Sequence, residues 1–266
     1  MVGCLLGVAF FSGLLLLKHP KTQGVRESVE SMPFKRQKPS DDEKLTALVA
    51  STFADQEGAY AIVVEDLAAD RRASMQDDRV MQTASLYKLF TMAALFDAAK
   101  KSGEEMSDET KEAIERMITI SSNEDGTFLS STYGWENITT WAHDHDFSDT
   151  NLSEIPPVTS ARDIAKFFRL LWKGELVSKE ASEEMLRILF DQRLNDRIPK
   201  YLPGDVRIAH KTGRIDGWLH DAGIVVASRS AYVIVLMAED LQDVDAGKER
   251  MALFSKDVLD IFEKRL

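Results

Sequence analysis

The sequence is poor in cysteine, since Cys4 is the single one among 266 residues. An internal disulfide is therefore excluded, because that bond needs two cysteines in one chain. The sequence also lacks any basic stripe, and its formal net charge is −11. We expect no nucleic-acid partner, because no lysine or arginine cluster could release counterions from phosphates. The acidic residues are spread along the chain, which is typical of a solvated surface rather than an acidic tail.

Charge is absent from the first 17 residues, MVGCLLGVAFFSGLLLL. A helix of that length spans about 25 Å, a little less than a bilayer core, so residues 1–17 predict an export signal or membrane anchor. The flanks leave the orientation open, because Lys18 and Lys21 follow the run and no basic residue precedes it. Cys4 follows Val2-Gly3 as in a bacterial lipobox, although the apolar run should come before it. We expect an extracytoplasmic protein of the bacterial cell envelope, tethered or secreted.

Residues 18–40 are polar and show no apolar periodicity, so they predict a linker. Ser40 followed by Asp41, Asp42 and Glu43 is typical of a helix start, with acids in the first turn. The main domain is therefore expected at 41–266.

Apolar patterning in that domain predicts strands and helices in a mixed order. Strands are expected at 59–67, 71–75, 206–210, 222–227 and 231–237. Helices are expected at 85–100, across most of 107–200 with breaks at 121–137 and 145–160, and at 245–265. The order predicts an α/β (α+β) fold: a mainly antiparallel five-stranded sheet flanked by N- and C-terminal helices, with an all-helical insertion at about 107–203.

Ser85-Leu86-Tyr87-Lys88 places a serine and a lysine three residues apart, on one face of a helix. A lysine desolvated by apolar neighbours can take the serine proton, and the serine can then attack a carbonyl. Ser85 at the helix start would also use the free backbone N–H groups there. Alone, the pair fits equally a helix-start serine and a snorkelling lysine.

Two further motifs favour the catalytic interpretation. Ser121-Ser122-Asn123 falls in a predicted helix break, and Lys211-Thr212-Gly213 ends a predicted strand. Ser121 could relay a proton to a leaving nitrogen, and Asn123 could hold a substrate carbonyl or the lysine amine. Lys211 would add a second positive charge, and Gly213 would let substrate approach the strand closely. The N–H groups of Ser85 and Arg214 could form an oxyanion hole worth about 3–4 kcal/mol per donor.

Ser-x-x-Lys, Ser-x-Asn and Lys-Thr-Gly, in this order, resemble the motif set of class A β-lactamases and penicillin-binding proteins. The segments TASLYKLF and HKTGRIDGWLHDAGIV are also similar to that family's nucleophile helix and site-lining strand. The resemblance covers about residues 41–266 and implies an α/β sandwich with a helical domain, a covalent acyl-enzyme, and β-lactam or D-alanyl peptide substrates. It implies a monomer without metal or cofactor, catalytic residues Ser85, Lys88, Ser121 and Lys211, and substrate-binding residues Asn123, Thr212, Gly213 and Arg214.

Two positions depart from the class A pattern. Ser122 stands where that pattern has aspartate, and the segment FSDTNLSEIPPV at 147–158 lacks the Glu-x-x-Leu-Asn motif whose glutamate activates the deacylating water. Glu154 is the only glutamate in that segment. The expected activity is hydrolysis of the β-lactam amide bond. The alternatives are a D-alanyl-D-alanine carboxypeptidase with the same site, and a penicillin-binding sensor that acylates without turnover.

Overall fold

The computed structural model describes residues 40–69 and 71–263. The expected anchor at 1–17, Cys4 and all of the expected linker at 18–40 except Ser40 lie outside the described residues. Within the described ranges, no helix is both long and apolar enough to cross a membrane.

The described chain contains seven strands and eight α-helices. The strands are β1 Ala59–Asp66, β2 Arg72–Met75, β3 Val80–Gln82, β4 Val158–Ser160, β5 Arg207–Ile215, β6 Trp218–Val226 and β7 Ala231–Glu239. The helices are α1 Asp41–Phe53, α2 Tyr87–Ser102, α3 Asp108–Thr119, α4 Asn123–Tyr133, α5 Trp135–Asp144, α6 Ala161–Lys173, α7 Lys179–Phe190 and α8 Val244–Phe262. A 3₁₀ turn, Ala84–Leu86, leads directly into α2.

The central sheet has five strands in the order β2-β1-β7-β6-β5, and every neighbouring pair is antiparallel. Residues far apart in sequence meet in it, as where Val63 of β1 lies opposite Val235 of β7. The predicted five-stranded antiparallel sheet is confirmed. The strand β5, which carries Lys211, lies at one edge.

The N- and C-terminal helices cover one face of this sheet, as expected. Leu45, Val49 and Phe53 of α1 share an apolar cluster with Phe254 and Val258 of α8. The start of α1 is the predicted one, because Ser40 Oγ accepts the Glu43 N–H at 3.2 Å and Glu43 Oε2 accepts the Ser40 N–H at 2.7 Å. This reciprocal capping box satisfies two N–H groups that the first helical turn leaves unpaired.

The other face of the sheet carries the helical layer, with α2 at its centre. The helix is apolar nearly all round, and Leu89, Phe90 and Ala93 are fully buried in one core cluster. Phe90 packs against Phe147 and Phe167, with ring centroids 5.4 and 5.5 Å apart. A helix enclosed in this way holds its first turn firmly.

Three sequence-based expectations about local structure are wrong. The break expected at 121–137 is mostly helix, because Ser122 caps α4 and only Gly134, with φ +99°, separates α4 from α5. The expected strand at 206–210 continues to Ile215, so Lys211-Thr212-Gly213 lies inside β5 rather than at its end. The region 107–203 is also not purely helical, because it includes β4, which pairs with β3.

Candidate active site

Ser85 lies in the 3₁₀ turn that precedes α2, and this turn packs against β5. Ala84 has φ +44°, an unusual left-handed conformation for a residue with a side chain. A Cβ placed on Gly213 would stand 3.2 Å from Ala84 Cβ, so the absence of a side chain there lets the turn approach the strand. The first and third motifs are therefore adjacent.

Lys88 lies in the first turn of α2 and is fully buried. Its Nζ donates to Ser121 O at 2.8 Å, to Asn123 Oδ1 at 2.9 Å and to Ser121 Oγ at 3.3 Å. Desolvation by burial lowers the pKa of Lys88 to about 8, although the charge of Asp125 acts in the opposite direction. A useful fraction of this amine is therefore unprotonated near neutral pH.

Lys211 reaches the same place from β5. Its Nζ donates to Ser121 Oγ at 2.8 Å and to Thr212 O at 2.8 Å. This side chain is also fully buried, and its pKa is lowered well below the ordinary lysine value, first by desolvation and then by the positive charge of Lys88. The side-chain nitrogens of two buried lysines thus share one hydroxyl.

Ser121 is that shared hydroxyl, held between the two lysines by an unusual backbone. The residue has φ +57°, and the N–H groups on either side of it, from Ile120 and Ser122, both donate to Arg116 O. A hydroxyl both accepts and donates, so it can pass a proton between neighbours. The arrangement suits the predicted relay.

The start of α4 explains the departure at Ser122. Its Oγ accepts the Asp125 N–H at 3.2 Å and so caps the helix. Asn123 is then the first helical residue, with its amide oxygen on Lys88 Nζ. Ser122 therefore caps the helix, and the aspartate of the class A pattern could cap a helix in the same way.

Two residues near the cluster were not anticipated from the sequence. A Cβ on Gly126 would lie 2.7 Å from both Lys88 Cε and Tyr87 Oη, so α4 packs directly on the lysine. A glycine inside a helix can indicate close packing against a neighbour. That signal was missed here because a break in the helix was expected at 121–137. Arg197 is buried, with Nε and Nη1 lacking hydrogen-bond partners among the described residues, and its charge contributes to the lowered pKa of Lys211. Nothing in the local sequence indicates that burial.

The two histidines near Lys211-Thr212-Gly213 are buried and make hydrogen bonds inside the protein. His210 Nδ1 lies 2.8 Å from Asp221 Oδ1, and His220 Nε2 lies 2.9 Å from Gln82 O. Burial lowers the pKa of His220 to about 4, so its ring is neutral at pH 7. Within residues 40–69 and 71–263, no group of three His, Cys, Asp or Glu side chains could hold a metal ion.

The loop after α5 supplies no carboxylate to the cluster. Thr139 Oγ1 anchors this loop by accepting the N–H groups of Leu152 and Ser153, each at 3.0 Å. Glu154 is exposed, and no hydrogen bond among the described residues joins its carboxylate to Ser85 or Lys88. The lack of a positioned deacylating base stays a prediction.

The fold and the motif order together define the class of β-lactamase and transpeptidase-like proteins. The model of the beta-lactamase enzyme family matches residues 42–110 and 104–262. The chain belongs to this family. No curated protein sequence matches the chain significantly.

Solved structures share the fold at low identity. A beta-lactamase from Sphaerobacter thermophilus is 20% identical, with a TM-score of 0.75 over 82% of this chain and 97% of that one. PBP-A is 22% identical, with a TM-score of 0.76 over 83% of this chain and 96% of that one. A mutant of PBP-A is also known as an acyl-enzyme complex with penicillin G. Identities this low establish the fold, and the roles of individual residues in this chain stay predictions.

Proposed function

We propose that the protein is a serine acyl-enzyme hydrolase that opens the β-lactam amide bond through an acyl-Ser85 intermediate. One observation carries the proposal: Lys88 and Lys211, both buried, converge on Ser121 Oγ at 3.3 and 2.8 Å. Burying two cations side by side is unfavourable unless one of them gives up its proton. Burial lowers the pKa of both lysines, and Lys88 is assigned as the base because it follows Ser85 by one helical turn.

The proposed chemistry assigns one step to each group. Neutral Lys88 Nζ takes the Ser85 Oγ proton while Oγ forms a bond to the carbonyl carbon of the lactam. Ser85 Oγ has no hydrogen-bond partner among the described residues, so it is available to substrate. The C–N bond then breaks, and the proton passes from Lys88 through Ser121 Oγ to the leaving nitrogen. The N–H groups of Ser85 and Arg214 would hold the negative oxygen of the tetrahedral intermediate.

Positive charge in the site favours an anionic substrate. Lys211 and Arg197 are both buried, and Arg197 Nη1 lies 3.4 Å from Asp196 Oδ1 while its Nε has no hydrogen-bond partner among the described residues. A substrate carboxylate near Thr212 and Gly213 would offset this charge. β-Lactams and D-alanyl peptides both carry such a carboxylate next to the scissile amide.

A second candidate is a D-alanyl-D-alanine carboxypeptidase that uses the same site. A penicillin-binding sensor, which is acylated once and does not turn over, is a related alternative. The exposed position of Glu154 favours this candidate, because no loop carboxylate is in place to activate a deacylating water. An acyl-enzyme formed from a β-lactam would then be hydrolysed slowly.

Turnover separates these functions. The full-length protein is mixed with a chromogenic cephalosporin and, separately, with a D-Ala-D-Ala peptide. Steady product release from the lactam supports the β-lactamase, whereas a stoichiometric burst that then stops supports the carboxypeptidase or the sensor, and peptide cleavage decides between those two. Mass spectrometry of the Ser85→Ala variant is the control, and a covalent adduct on that variant would overturn the whole proposal.

We also propose that the protein works outside the cytoplasm, tethered or secreted through residues 1–17. The uncharged apolar run supports this location. Protease added to intact cells that express the full chain should digest it. Protection from the protease until the cells are lysed would contradict this location.

A further inference from the structure

We propose that Arg116 and Asp125 form a positioning pair that sets the shape of the α3–α4 junction and the charge environment of Lys88. This inference rests on the proposed function of the Ser85 site. Neither residue belongs to the three sequence motifs, and neither contacts the reacting atoms.

The pair holds the junction from two sides. Arg116 Nε and Nη2 donate to the Asp125 carboxylate at 3.1 and 2.7 Å, which joins the end of α3 to the first turn of α4. The carbonyl oxygen of Arg116 accepts the N–H groups of Ile120 and Ser122. The same arginine therefore fixes the left-handed turn at Ser121 through its backbone and the following helix through its side chain.

The held segment contains every contact that α4 and its cap make with Lys88. Ser121 and Asn123 accept hydrogen bonds from Lys88 Nζ, and Gly126 packs on its Cε. Asp125 lies between Asn123 and Gly126 in the same helical turn. A change in the junction thus moves the partners of the base without touching the base itself.

The pair also determines the charge near Lys88. The charged groups facing Lys88 are Asp125 from α4 and Lys211 from β5, and on its own helix the Tyr87 ring centroid lies 5.7 Å from Nζ. Asp125 in turn faces Arg116 and Lys88. Asp125 stabilises the protonated amine, and Arg116 donates two hydrogen bonds to the same carboxylate.

This ion pair is too exposed to matter much for stability. The Arg116 side chain is 48% exposed and the Asp125 side chain 14% exposed, so solvent screens the pair from the arginine side and its contribution to folding is small. Its Nη1 also lies 3.7 Å from Glu112 Oε2, so the arginine keeps a partner if Asp125 is changed. The expected effects are therefore on the reaction rather than on folding.

The test measures the second-order acylation rate of the full-length protein by a fluorescent penicillin between pH 6 and 10. Each profile gives a midpoint pH and a plateau at high pH. Asp125→Asn and Arg116→Ala should both lower the plateau, by about tenfold, because the junction is released in both. The midpoint should move to lower pH in Asp125→Asn and to higher pH in Arg116→Ala, since one removes an anion and the other a cation.

Two further variants sharpen the result. Arg116→Lys keeps the charge without the two-pronged geometry, so it should restore the midpoint but only part of the plateau. Arg187→Ala is the matched control, because Arg187 has the same 48% exposure and bridges Glu115 and Glu184 on α3 and α7. Its profile should match the wild type.

Three outcomes would overturn the inference: midpoints that move in the same direction in Asp125→Asn and Arg116→Ala, unchanged profiles in both, or an equal effect of Arg187→Ala. Failure of the proposed function looks different, because the wild-type protein would then form no adduct at any pH. In that case an NMR titration of the Lys88 side chain still tests the opposed shifts of its protonation midpoint.

Discussion

Replacing Gly126 by alanine is the sharpest test of the position of Lys88. The new Cβ would lie 2.7 Å from Lys88 Cε, whereas two carbons in contact are separated by about 3.5 Å. The lysine must therefore move by roughly 0.8 Å, because the α4 backbone cannot easily retreat. Its hydrogen bonds of 2.8 and 2.9 Å would lengthen to about 3.6 Å and be lost.

We expect this substitution to lower the acylation rate and to leave the stability of the fold nearly unchanged. Lys88 Cε and Tyr87 Oη, the atoms that the methyl group meets, are far ends of flexible side chains and can shift. Alanine is also favoured over glycine inside a helix by about 1 kcal/mol, which offsets the crowding. We expect the acylation rate to fall about 100-fold, as a displacement of this size does to a catalytic group. The melting temperature should stay within about 3 °C of the wild type.

The assay combines labelling by a fluorescent penicillin with thermal unfolding of the same samples. Gly204→Ala is the matched control, because a Cβ on Gly204 meets nothing within 4 Å. Wild-type acylation by Gly126→Ala would refute the reasoning, since the base could not then depend on the contacts described. A large fall in melting temperature would also contradict the prediction, because it would show that the substitution destabilises the fold.

Three other outcomes are expected. The acylation rate should rise about tenfold between pH 7 and 9, because a Lys88 pKa of about 8 raises the neutral fraction of this amine from about one tenth to about nine tenths. A rate that continues to rise past pH 10 would contradict this. Burial lowers the pKa of His220 to about 4, so the free energy of unfolding should fall by roughly 2 kcal/mol between pH 6.5 and 4.5, because only the unfolded chain accepts the proton there. In urea unfolding, the stability of His220→Gln should depend less on pH. Ser40→Ala should lower the free energy of unfolding by about 1 kcal/mol through loss of the α1 cap, with acylation unchanged, and an unaltered urea midpoint would argue against the capping box.

Local signals were enough to predict much of the fold. Ser40 followed by three acids marked the start of α1, and the apolar run at 59–67 marked β1, because caps and runs act through near neighbours in sequence. The five-stranded antiparallel sheet followed from the order of such segments. Ser85, Lys88, Ser121 and Lys211 could be selected because their motifs are short and regularly ordered.

The remaining features depend on partners distant in sequence. The segment 121–137 is rich in Ser, Thr, Gly and Asn, so its low helix propensity hid α4 and α5, which burial of Leu129 and Ile138 stabilises. Lys211 ended the predicted strand because a charged residue does not suggest a buried one, and one of its two hydrogen-bond acceptors, Ser121 Oγ, lies 90 residues away in sequence. The left-handed backbone at Ala84 and Ser121 has no local signal, since neither residue is glycine.

The strand order has a consequence for the timing of protein synthesis. The strand β1 pairs with β7, which is the last of the described strands to be synthesised, and Lys211 on β5 is made only after helices α2 to α7. A nascent chain that ends before residue 207 already carries Ser85, Lys88 and Ser121, yet it has no sheet to bring them against a second lysine. Contacts this distant in sequence form late, because the long intervening loop must close first. A chain that ends before residue 211 therefore carries the proposed nucleophile without the second lysine that contacts Ser121.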